Sequence, residues 1–193
     1  MMPTIDDPRL YSPQCTSLTP IEKVHENAWF SVFNRGSYFT VENNQSQVLI
    51  LPVVENNSVV MVRVRRPVIA DNTLELPAGG VQMDESPIEA ACRELLEETG
   101  IQIPDLNRFN AKAPLVLTAR SPYLSHIFQI HVTQKEFDER TKHDDEVVSV
   151  ECFSFKEALE KIDKNEIYVG LHIAILTRFL LQNRHIVLAD FHI

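Results

Sequence analysis

Three closely spaced glutamates are the residues in this sequence best suited to chemistry. Glu97 lies three residues after Glu94, and Glu98 lies four residues after it. In a helix, their carboxylates therefore project from one flank. Like charges at these spacings disfavour an isolated helix by roughly 0.2–0.5 kcal/mol per pair. Arg93 lies four residues before Glu97 and can pair with it. A bound cation can remove the rest of the deficit, and hard carboxylate oxygens suit Mg²⁺.

The segment around these glutamates carries the signals of a well-defined helix. Residues 86–89 read SPIE, which gives a capping serine, a proline at the first helical position and a glutamate three residues after the cap. Gly100 supplies the stop signal. A solvated acidic helix face is the alternative interpretation. However, the helix follows a turn at residues 77–80, PAGG, where the backbone can come close to a ligand or metal.

The pattern elsewhere predicts the elements that must position this helix. Residues 1–25 have several prolines and little periodicity, which predicts an irregular arm. Residues 29–41 and 47–66 each predict a β-hairpin. Further strands are predicted over 115–118, 126–132 and 147–153, and further helices over 155–163 and 169–182. Because strands and helices do not alternate regularly, this order predicts an α+β fold with a mixed sheet.

Residues 79–101 carry a complete family pattern. The stretch GGVQMDESPIEAACRELLEETGI resembles the Nudix box, G-x5-E-x7-R-E-U-x-E-E-x-G-U, in which U is apolar. Every specified position is filled, by Gly79, Glu85, Arg93, Glu94, Leu95, Glu97, Glu98, Gly100 and Ile101. The resemblance implies the Nudix fold, a mixed β-sheet sandwiched between helices. It also implies a hydrolase domain over residues 44–193, preceded by an arm and β-hairpin over 1–43 that serve in dimerisation.

The resemblance implies a role for each polar residue of the box. Glu94 and Glu98 are the expected principal metal ligands, with Glu97 and the carbonyl of Ala78 as further ligands. Mg²⁺ is the expected ion and Mn²⁺ the alternative. Glu97 and Glu98 are also expected to be catalytic. The residues expected to be structural are Gly79, Glu85, Arg93 and Gly100.

Residues outside the box bear on the substrate. Arg66 and Glu75 resemble a pair found in ADP-ribose and nucleotide-sugar pyrophosphatases, and the fork of Arg66 can bind diphosphate oxygens. Trp29 resembles an aromatic residue that stacks on the base, with a core or interface position as the alternative. Arg120 is a further expected phosphate contact. The segment 119–126 lacks the glycine and acid common in the ADP-ribose subgroup, which leaves the second flanking group open.

The charged loop over residues 138–146 contains the expected catalytic carboxylate. Similar pyrophosphatases take a base or an extra metal ligand from this loop. Glu146 directly precedes a predicted strand and is the first candidate. Asp144 and Asp145 are the alternatives, and a merely solvated acidic loop is the other interpretation.

Composition narrows the class of function. The formal net charge of −9 argues against binding to a nucleic-acid polymer. Three widely spaced cysteines, and an N-terminus without a basic and then apolar signal, predict a cytoplasmic protein. No apolar stretch is long enough to predict a membrane span. The histidines, including His126, His131 and His172, show no metal-binding spacing and are expected to be packed or exposed without a role.

These features predict a Nudix pyrophosphatase. It is expected to hydrolyse the diphosphate linkage between a nucleoside and another moiety, as in ADP-ribose or a nucleotide sugar, and to act as a homodimer on this small substrate. Two alternatives stay open. One is a hydrolase of nucleoside triphosphates, against which the N-terminal hairpin and Arg66 argue. The other is a non-catalytic nucleotide sensor, against which the intact box argues.

Overall fold

The computed structural model describes residues 7–13 and 15–184. Within them lie the strands β1 (Ile21–Glu26), β2 (Phe30–Arg35), β3 (Tyr38–Asn43), β4 (Gln47–Val54), β5 (Ser58–Arg66), β6 (Asp71–Glu75), β7 (Ala78–Gly80), β8 (Phe109–Val116), β9 (Leu124–Val132) and β10 (Val147–Ser154). The α-helices are α1 (Pro87–Thr99), α2 (Gln134–Asp138), α3 (Phe155–Asp163) and α4 (Gly170–Gln182). In this part of the chain, no helix combines the length and apolar character that crossing a membrane requires.

The larger sheet is mixed and has seven strands. Its main path runs β10-β5-β4-β9-β8, and β6 and β7 pair with β5 and β4 respectively. Strand β9 runs parallel to β4, whereas the other pairings are antiparallel. Strand β4 is buried almost throughout, so side chains on both of its faces are covered.

Helices cover both faces of this sheet. Alternate residues of β4 enter different clusters, as expected from the two-residue period of a strand. Leu49 and Leu51 pack with residues of α3 and α4, while Val48 and Ile50 pack with residues of α1. Burial of each such side chain stabilises the fold by roughly 1.5–3 kcal/mol. The prediction of an α+β fold with a mixed sheet between helices is confirmed.

Helix α1 has the predicted bounds because its sequence carries both end signals. Ser86 accepts a hydrogen bond from the N–H of Glu89, and the Glu89 side chain reaches back to the N–H of Ser86. Gly100 ends the helix with a φ of 73°, a left-handed conformation that favours glycine. A Cβ there would also overlap the carbonyl of Thr141, so the loop after α2 packs against this position.

Strands β1 and β8 and helix α2 are among the elements that differ from the predictions. Strand β1 lies within the supposed irregular arm, and every one of its residues is exposed, so no hydrophobic period marks it. Strand β8 begins six residues before the predicted 115–118, because Pro114 and an irregular register between Lys112 and Leu115 disrupt its alternation. Helix α2 has only five residues, too few to show a helical period. Its capping box, Thr133 with Glu136, is the signal that could have revealed it.

The N-terminal strands form a separate three-stranded sheet in the order β1-β2-β3. The predicted hairpin is its β2–β3 part, joined through Gly36 and Ser37, which both have positive φ. A bidentate pair between Arg35 and Glu42 is buried within it. Val41 N–H donates to the carbonyl of Arg120 at 2.9 Å, which connects this sheet to the segment before β9.

Candidate active site

The loop before α1 lies directly against the glutamates of the helix. The N–H of Ala78 donates to Oε2 of Glu98 at 2.8 Å. A Cβ on Gly79 would overlap the carboxylate of Glu94, so only glycine allows this approach. Pairing of β7 with β4 holds the loop on the sheet. The structure therefore places Ala78, Gly79, Glu94 and Glu98 together.

Arg93 ties the same loop to the helix. Its Nε and Nη2 donate to Glu85 at 2.8 and 3.0 Å, and Nη2 also donates to the carbonyl of Gly80 at 2.9 Å. Its Nη1 contacts Glu94 at 2.7 Å and Glu97 at 2.8 Å. The hydrogen bonds to Glu85, followed by those to Glu94 and Glu97, outweigh partial burial and raise the pKa of Arg93. This guanidinium stays charged and orients two carboxylates of the box.

The carboxylate of Glu98 is partly buried without an adequate countercharge. Burial, helped by the nearby charges of Glu94 and Asp144, raises its pKa to about 8, although the N–H of Ala78 and the charge of Arg66 oppose this shift. Burial likewise raises the pKa of Glu94, although the hydrogen bond from Arg93 opposes this shift. A cation placed beside these groups would favour their ionised forms.

The donor atoms of this region suit a hard divalent cation. The carboxylates of Glu94, Glu97 and Glu98 and the backbone carbonyl of Ala78 offer only oxygen, which Mg²⁺ and Mn²⁺ prefer. Over the described residues, no three acidic, histidine or cysteine side chains are already gathered as a metal centre. Glu94 and Glu97 are instead paired with Arg93. The chemistry of the donors, and the partial burial of Glu98 without an ion pair among the described residues, fit such an ion.

The acidic loop is docked on the end of α1 by its backbone. The N–H of Thr141 donates to the carbonyl of Gly100 at 2.9 Å, and that of Asp144 donates to the carbonyl of Glu97 at 2.8 Å. These two bonds bring the loop to the carboxylate flank of the helix. Asp144 lies close enough to Glu98 for its charge to raise the pKa of Glu98.

The three candidate carboxylates of that loop have different surroundings. Oδ1 of Asp144 accepts from the N–H groups of Glu146 and Val147 at 3.1 and 3.2 Å, so this side chain shapes the turn into β10. Asp145 pairs with Lys142 at 3.1 Å, and its side chain is 95% exposed. Glu146 lines the cleft described next. Among the three, only Glu146 lines that cleft.

A cleft of about 720 Å³ lies beside the glycine loop. This volume is in the range of small-ligand sites. The cleft gathers residues from the loop, the N-terminal segment, the segment before β9 and helix α4: Tyr11, Trp29, Asn43, Asn44, Gln45, Ser46, Gln47, Leu49, Arg66, Glu75, Ala78, Gly79, Gly80, Leu117, Ser121, Tyr123, Leu124, Ser125, Glu146, Leu171 and His172. Sequence reasoning missed Tyr11 and the amide-rich segment 43–47, which carry no motif.

Arg66 and Glu75 form a bidentate pair in this cleft. Nε of Arg66 donates to Oε1 of Glu75 at 2.7 Å, and Nη2 donates to Oε2 at 2.8 Å. Burial alone would raise the pKa of Glu75, but hydrogen bonds from Arg66, His172 and Thr73 outweigh it and hold that pKa well below its usual range. One edge of the Arg66 guanidinium is thus occupied by protein. Among the described residues, no hydrogen bond occupies the edge formed by Nη1 and the second hydrogen of Nη2, so this edge can bind a ligand.

Helix α4 contributes His172, to which the sequence assigns no role. The ring is buried, Nδ1 accepts from the N–H of Leu76 at 2.9 Å, and Nε2 lies 3.0 Å from Oε2 of Glu75. His172 follows Leu76 by 96 residues, so no local pattern could pair them. His126 is also buried, and its Nε2 has no hydrogen-bond partner among the residues described.

The structure separates the two remaining predicted substrate residues. Trp29 lines the cleft and is 76% exposed. Arg120, the expected phosphate contact, is not among the residues that line it. Its Nη1 instead donates to the carbonyl of Phe39 at 3.4 Å, and its backbone carbonyl accepts from Val41. Arg120 therefore contacts the N-terminal sheet, to which β3 belongs.

Comparisons with known proteins agree with this geometry. ADP-ribose pyrophosphatase of Bacillus subtilis (strain 168) is 27% identical over 121 residues, which are 63% of this chain and 64% of that protein. Methanol dehydrogenase activator of Bacillus methanolicus is 29% identical over 125 residues, with the same shares of the two chains. RNA pyrophosphohydrolase of Rhizobium meliloti (strain 1021) is 61% identical over only 28 residues, 14% of this chain and 17% of that protein.

The chain spans 64% of the length of the first two of these relatives. The family model of the NUDIX domain matches residues 43–170, well over half of the 193 residues. That match contains the glycine loop, helix α1, the acidic loop and the first residue of α4. On this match, the chain belongs to the Nudix family.

Proposed function

We propose that this chain is a pyrophosphatase that uses a divalent metal ion, Mg²⁺ or alternatively Mn²⁺, to hydrolyse a small nucleoside diphosphate compound such as ADP-ribose or a nucleotide sugar. One observation carries the proposal. The glycine loop, held against Glu94 and Glu98, opens into the same cleft as Arg66, Trp29 and Glu146. The similarity to a protein named ADP-ribose pyrophosphatase supports it.

The residues of α1 and the glycine loop have the role of holding the ion. Glu94, Glu97 and Glu98 contribute carboxylate oxygens, and Ala78 contributes its carbonyl. A divalent ion held there supplies Lewis-acid chemistry that withdraws charge from a diphosphate. Arg93 orients the carboxylates of Glu94 and Glu97 through its ion pairs with them, and its ion pair with Glu85 holds Arg93 itself in place.

Glu146 acts as the base in this proposal. Water attacks one phosphorus of the linkage, the bond from that phosphorus to the bridging oxygen breaks, and the carboxylate of Glu146 accepts the proton of the water. Asp144 is the first alternative because it lies near Glu98. Asp145 is the weaker alternative, since it is exposed and paired with Lys142.

Arg66 and Trp29 select the substrate. The free edge of the Arg66 guanidinium binds an oxygen of the diphosphate, while Glu75 keeps that edge in place. The exposed ring of Trp29 offers a surface for stacking on a base. Arg66 would bind the diphosphate together with an ion held by the carboxylates of α1, and these two contacts would favour a linkage that is flanked on both sides over a terminal triphosphate.

Replacement of Arg66 tests this selection. We expect Arg66→Ala to raise KM about tenfold and to leave kcat nearly unchanged, because the contact exists in the ground state and the transition state alike. Arg66→Lys recovers only part of the loss, since a point charge cannot reproduce two coplanar donors. Steady-state kinetics with the best diphosphate-linked compound measure both effects.

Arg65→Ala is the matched control, because Arg65 is exposed on the same strand and does not line the cleft. Its KM should equal that of the unmodified chain. An unchanged KM in Arg66→Ala would remove Arg66 from substrate binding.

A homodimer through the N-terminal sheet is the second proposal of this section. The strands over residues 21–43 leave several apolar side chains more than 40% exposed, namely Ile21, Val24, Trp29, Tyr38, Phe39 and Val41. An apolar surface of this kind is stabilised when a second copy covers it. Light scattering at micromolar concentration should give about twice the chain mass of 22.1 kDa.

Phe39→Glu should shift the equilibrium between monomer and homodimer towards the monomer, because it places a charge on the apolar surface. Val148→Glu is its control, because Val148 is an exposed apolar residue of β10 in the other sheet. If the unmodified chain stays monomeric at micromolar concentration, this result would contradict the proposed dimer.

A substrate panel tests the proposed function as a whole. With Mg²⁺ present, turnover should be measured for ADP-ribose, nucleotide sugars, dinucleotides and nucleoside triphosphates. We expect a diphosphate-linked compound to have the highest kcat/KM. A clearly higher kcat/KM for nucleoside triphosphates than for every diphosphate-linked compound tested would contradict the proposal and favour triphosphate hydrolysis.

One relative supplies a second candidate of another class. Its name describes an activator of another enzyme, methanol dehydrogenase. A non-catalytic role for this chain would appear as tight nucleotide binding without turnover in the same panel. The intact set of Glu94, Glu97 and Glu98 argues against that outcome.

A further inference from the structure

His172 connects helix α4 to two parts of the cleft at once. Its Nδ1 accepts a hydrogen bond from the N–H of Leu76 at 2.9 Å. Its Nε2 lies 3.0 Å from Oε2 of Glu75. The residue is 5% exposed, so water hardly competes for either nitrogen.

These two contacts fix the tautomer of His172. A backbone N–H can only donate, so Nδ1 must carry a lone pair. The proton of the neutral ring is therefore on Nε2, which donates it to the carboxylate of Glu75. Only this tautomer satisfies both neighbours.

Glu75 links His172 to the substrate arginine. Its Oε1 accepts from Nε of Arg66 and from the hydroxyl of Thr73, and its Oε2 accepts from Nη2 of Arg66 and from His172. Four donors occupy all the lone-pair positions of the carboxylate. The carboxylate cannot rotate without breaking one of these bonds, so the free edge of Arg66 is held in one orientation.

Leu76 links His172 to the glycine loop. Leu76 is 1% exposed and lies two residues before Ala78, whose N–H contacts Glu98 at 2.8 Å. A fixed backbone at Leu76 leaves the chain little freedom before it reaches Ala78. The hydrogen bond from Leu76 to His172 therefore helps to set the distance between the glycine loop and the glutamates of α1.

We propose that His172 is a positioning residue, which orients Arg66 through Glu75 and fixes the backbone that leads into Ala78. Helix α4 is a rigid support for this ring, because Ile175, Leu176 and Phe179 are buried in the core beneath it. The inference rests on the proposed function, in which Arg66 and Ala78 belong to the substrate and metal sites. A residue that only packs α4 against β6 would affect stability but neither KM nor kcat.

Two substitutions separate the two bonds of His172. In His172→Asn the side-chain oxygen lies near the position of Nδ1, which keeps an acceptor for Leu76 and removes the donor to Glu75. In His172→Gln the amide nitrogen reaches the position of Nε2, which keeps that donor and removes the acceptor. We expect His172→Asn to raise KM about tenfold and His172→Gln to lower kcat about tenfold.

The coupling to Arg66 gives a sharper readout. Because His172 acts on KM through Glu75 and Arg66, adding His172→Asn to Arg66→Ala should raise KM little further. His131→Asn is the matched control, since His131 does not line the cleft and its substitution should leave both constants unchanged. Full additivity of the two KM effects, or unchanged constants in folded His172 variants, would overturn the inference.

A measurement without substrate keeps this inference distinguishable from the proposed function. In ¹⁵N-labelled chain, two-bond ¹H–¹⁵N correlations of the His172 ring should show a proton on Nε2 and none on Nδ1. A proton on Nδ1 overturns the inference whatever the chain hydrolyses, and this result can be obtained even if the variants fail to fold. The expected tautomer in a chain that turns over no compound of the panel contradicts the proposed function instead.

Discussion

Glu98→Gln is expected to lower turnover of the diphosphate-linked substrate by about a thousandfold while the fold survives. Glu98 is expected to bind the ion, and the charge stabilisation that such an ion supplies is worth several kcal/mol. The fold survives because Gln retains a side-chain oxygen for the N–H of Ala78. Gln also avoids the unfavourable burial of a carboxylate, which is the main cause of the raised pKa of Glu98, about 8. Glu94→Gln should have a similar effect on turnover.

Glu89→Gln is the control in the same helix. Glu89 belongs to the capping box at the start of α1, and glutamine can also fill that position. Turnover and thermal unfolding of this variant should match those of the unmodified chain. Unfolding followed with and without Mg²⁺ gives a second readout, since Glu98→Gln should lose the stabilisation that the ion confers. Turnover by Glu98→Gln at the level of Glu89→Gln would contradict the role of Glu98.

Gly79→Ala is expected to lower kcat at least about a hundredfold with a small effect on stability. The added Cβ overlaps the carboxylate of Glu94, which is the mobile end of a flexible side chain. The carboxylate can therefore move away at little cost to folding. If Glu94 binds the ion as proposed, its displacement removes a ligand, and misplacement by about 1 Å is enough to cost a hundredfold in rate.

Gly170→Ala is the matched control for this prediction. Gly170 is the first residue of α4, and no neighbour lies within 4 Å of a Cβ added there. Steady-state kinetics should separate the two alanine variants, while their thermal unfolding midpoints should be similar. If Gly79→Ala kept normal kcat, the close approach of the loop to Glu94 would not matter for catalysis.

The part of the site built from local signals could be predicted from the sequence. Helix α1 carries its cap, its stop and its glutamates within 15 residues, from Ser86 to Gly100. The strand-like, valine-rich segments 47–54 and 58–66 likewise predicted β4 and β5, which are buried over most of their length. For these elements, short-range patterns and the final packing point to the same structure.

The part built from distant contacts could not be predicted. The histidine that holds Glu75 is on α4, far along the chain, and a single histidine in an apolar helix gives no signal. Strand β1 was missed because it has no buried face to impose a period. Arg120 was expected in the cleft on residue type alone, but its backbone pairs with β3 and carries the side chain to Phe39.

Glu75 shows how the structure changes the prediction made for Arg66. The sequence paired Arg66 with Glu75 only by resemblance and expected the arginine fork to bind the substrate. In the structure, one edge of that fork is occupied by Glu75 itself. In the proposed function, substrate recognition therefore depends on the remaining edge, and so on the residues that hold Glu75 in place.

The most direct test of the proposed activity is ³¹P NMR of ADP-ribose and a nucleotide sugar incubated with the chain and Mg²⁺. We predict that the diphosphate signals of at least one compound disappear and that two phosphomonoester signals replace them in equal amounts. Excess chelator should stop this conversion. Unchanged diphosphate signals for both compounds, or conversion that continues at full rate in chelator, would contradict hydrolysis by a metal-dependent Nudix pyrophosphatase.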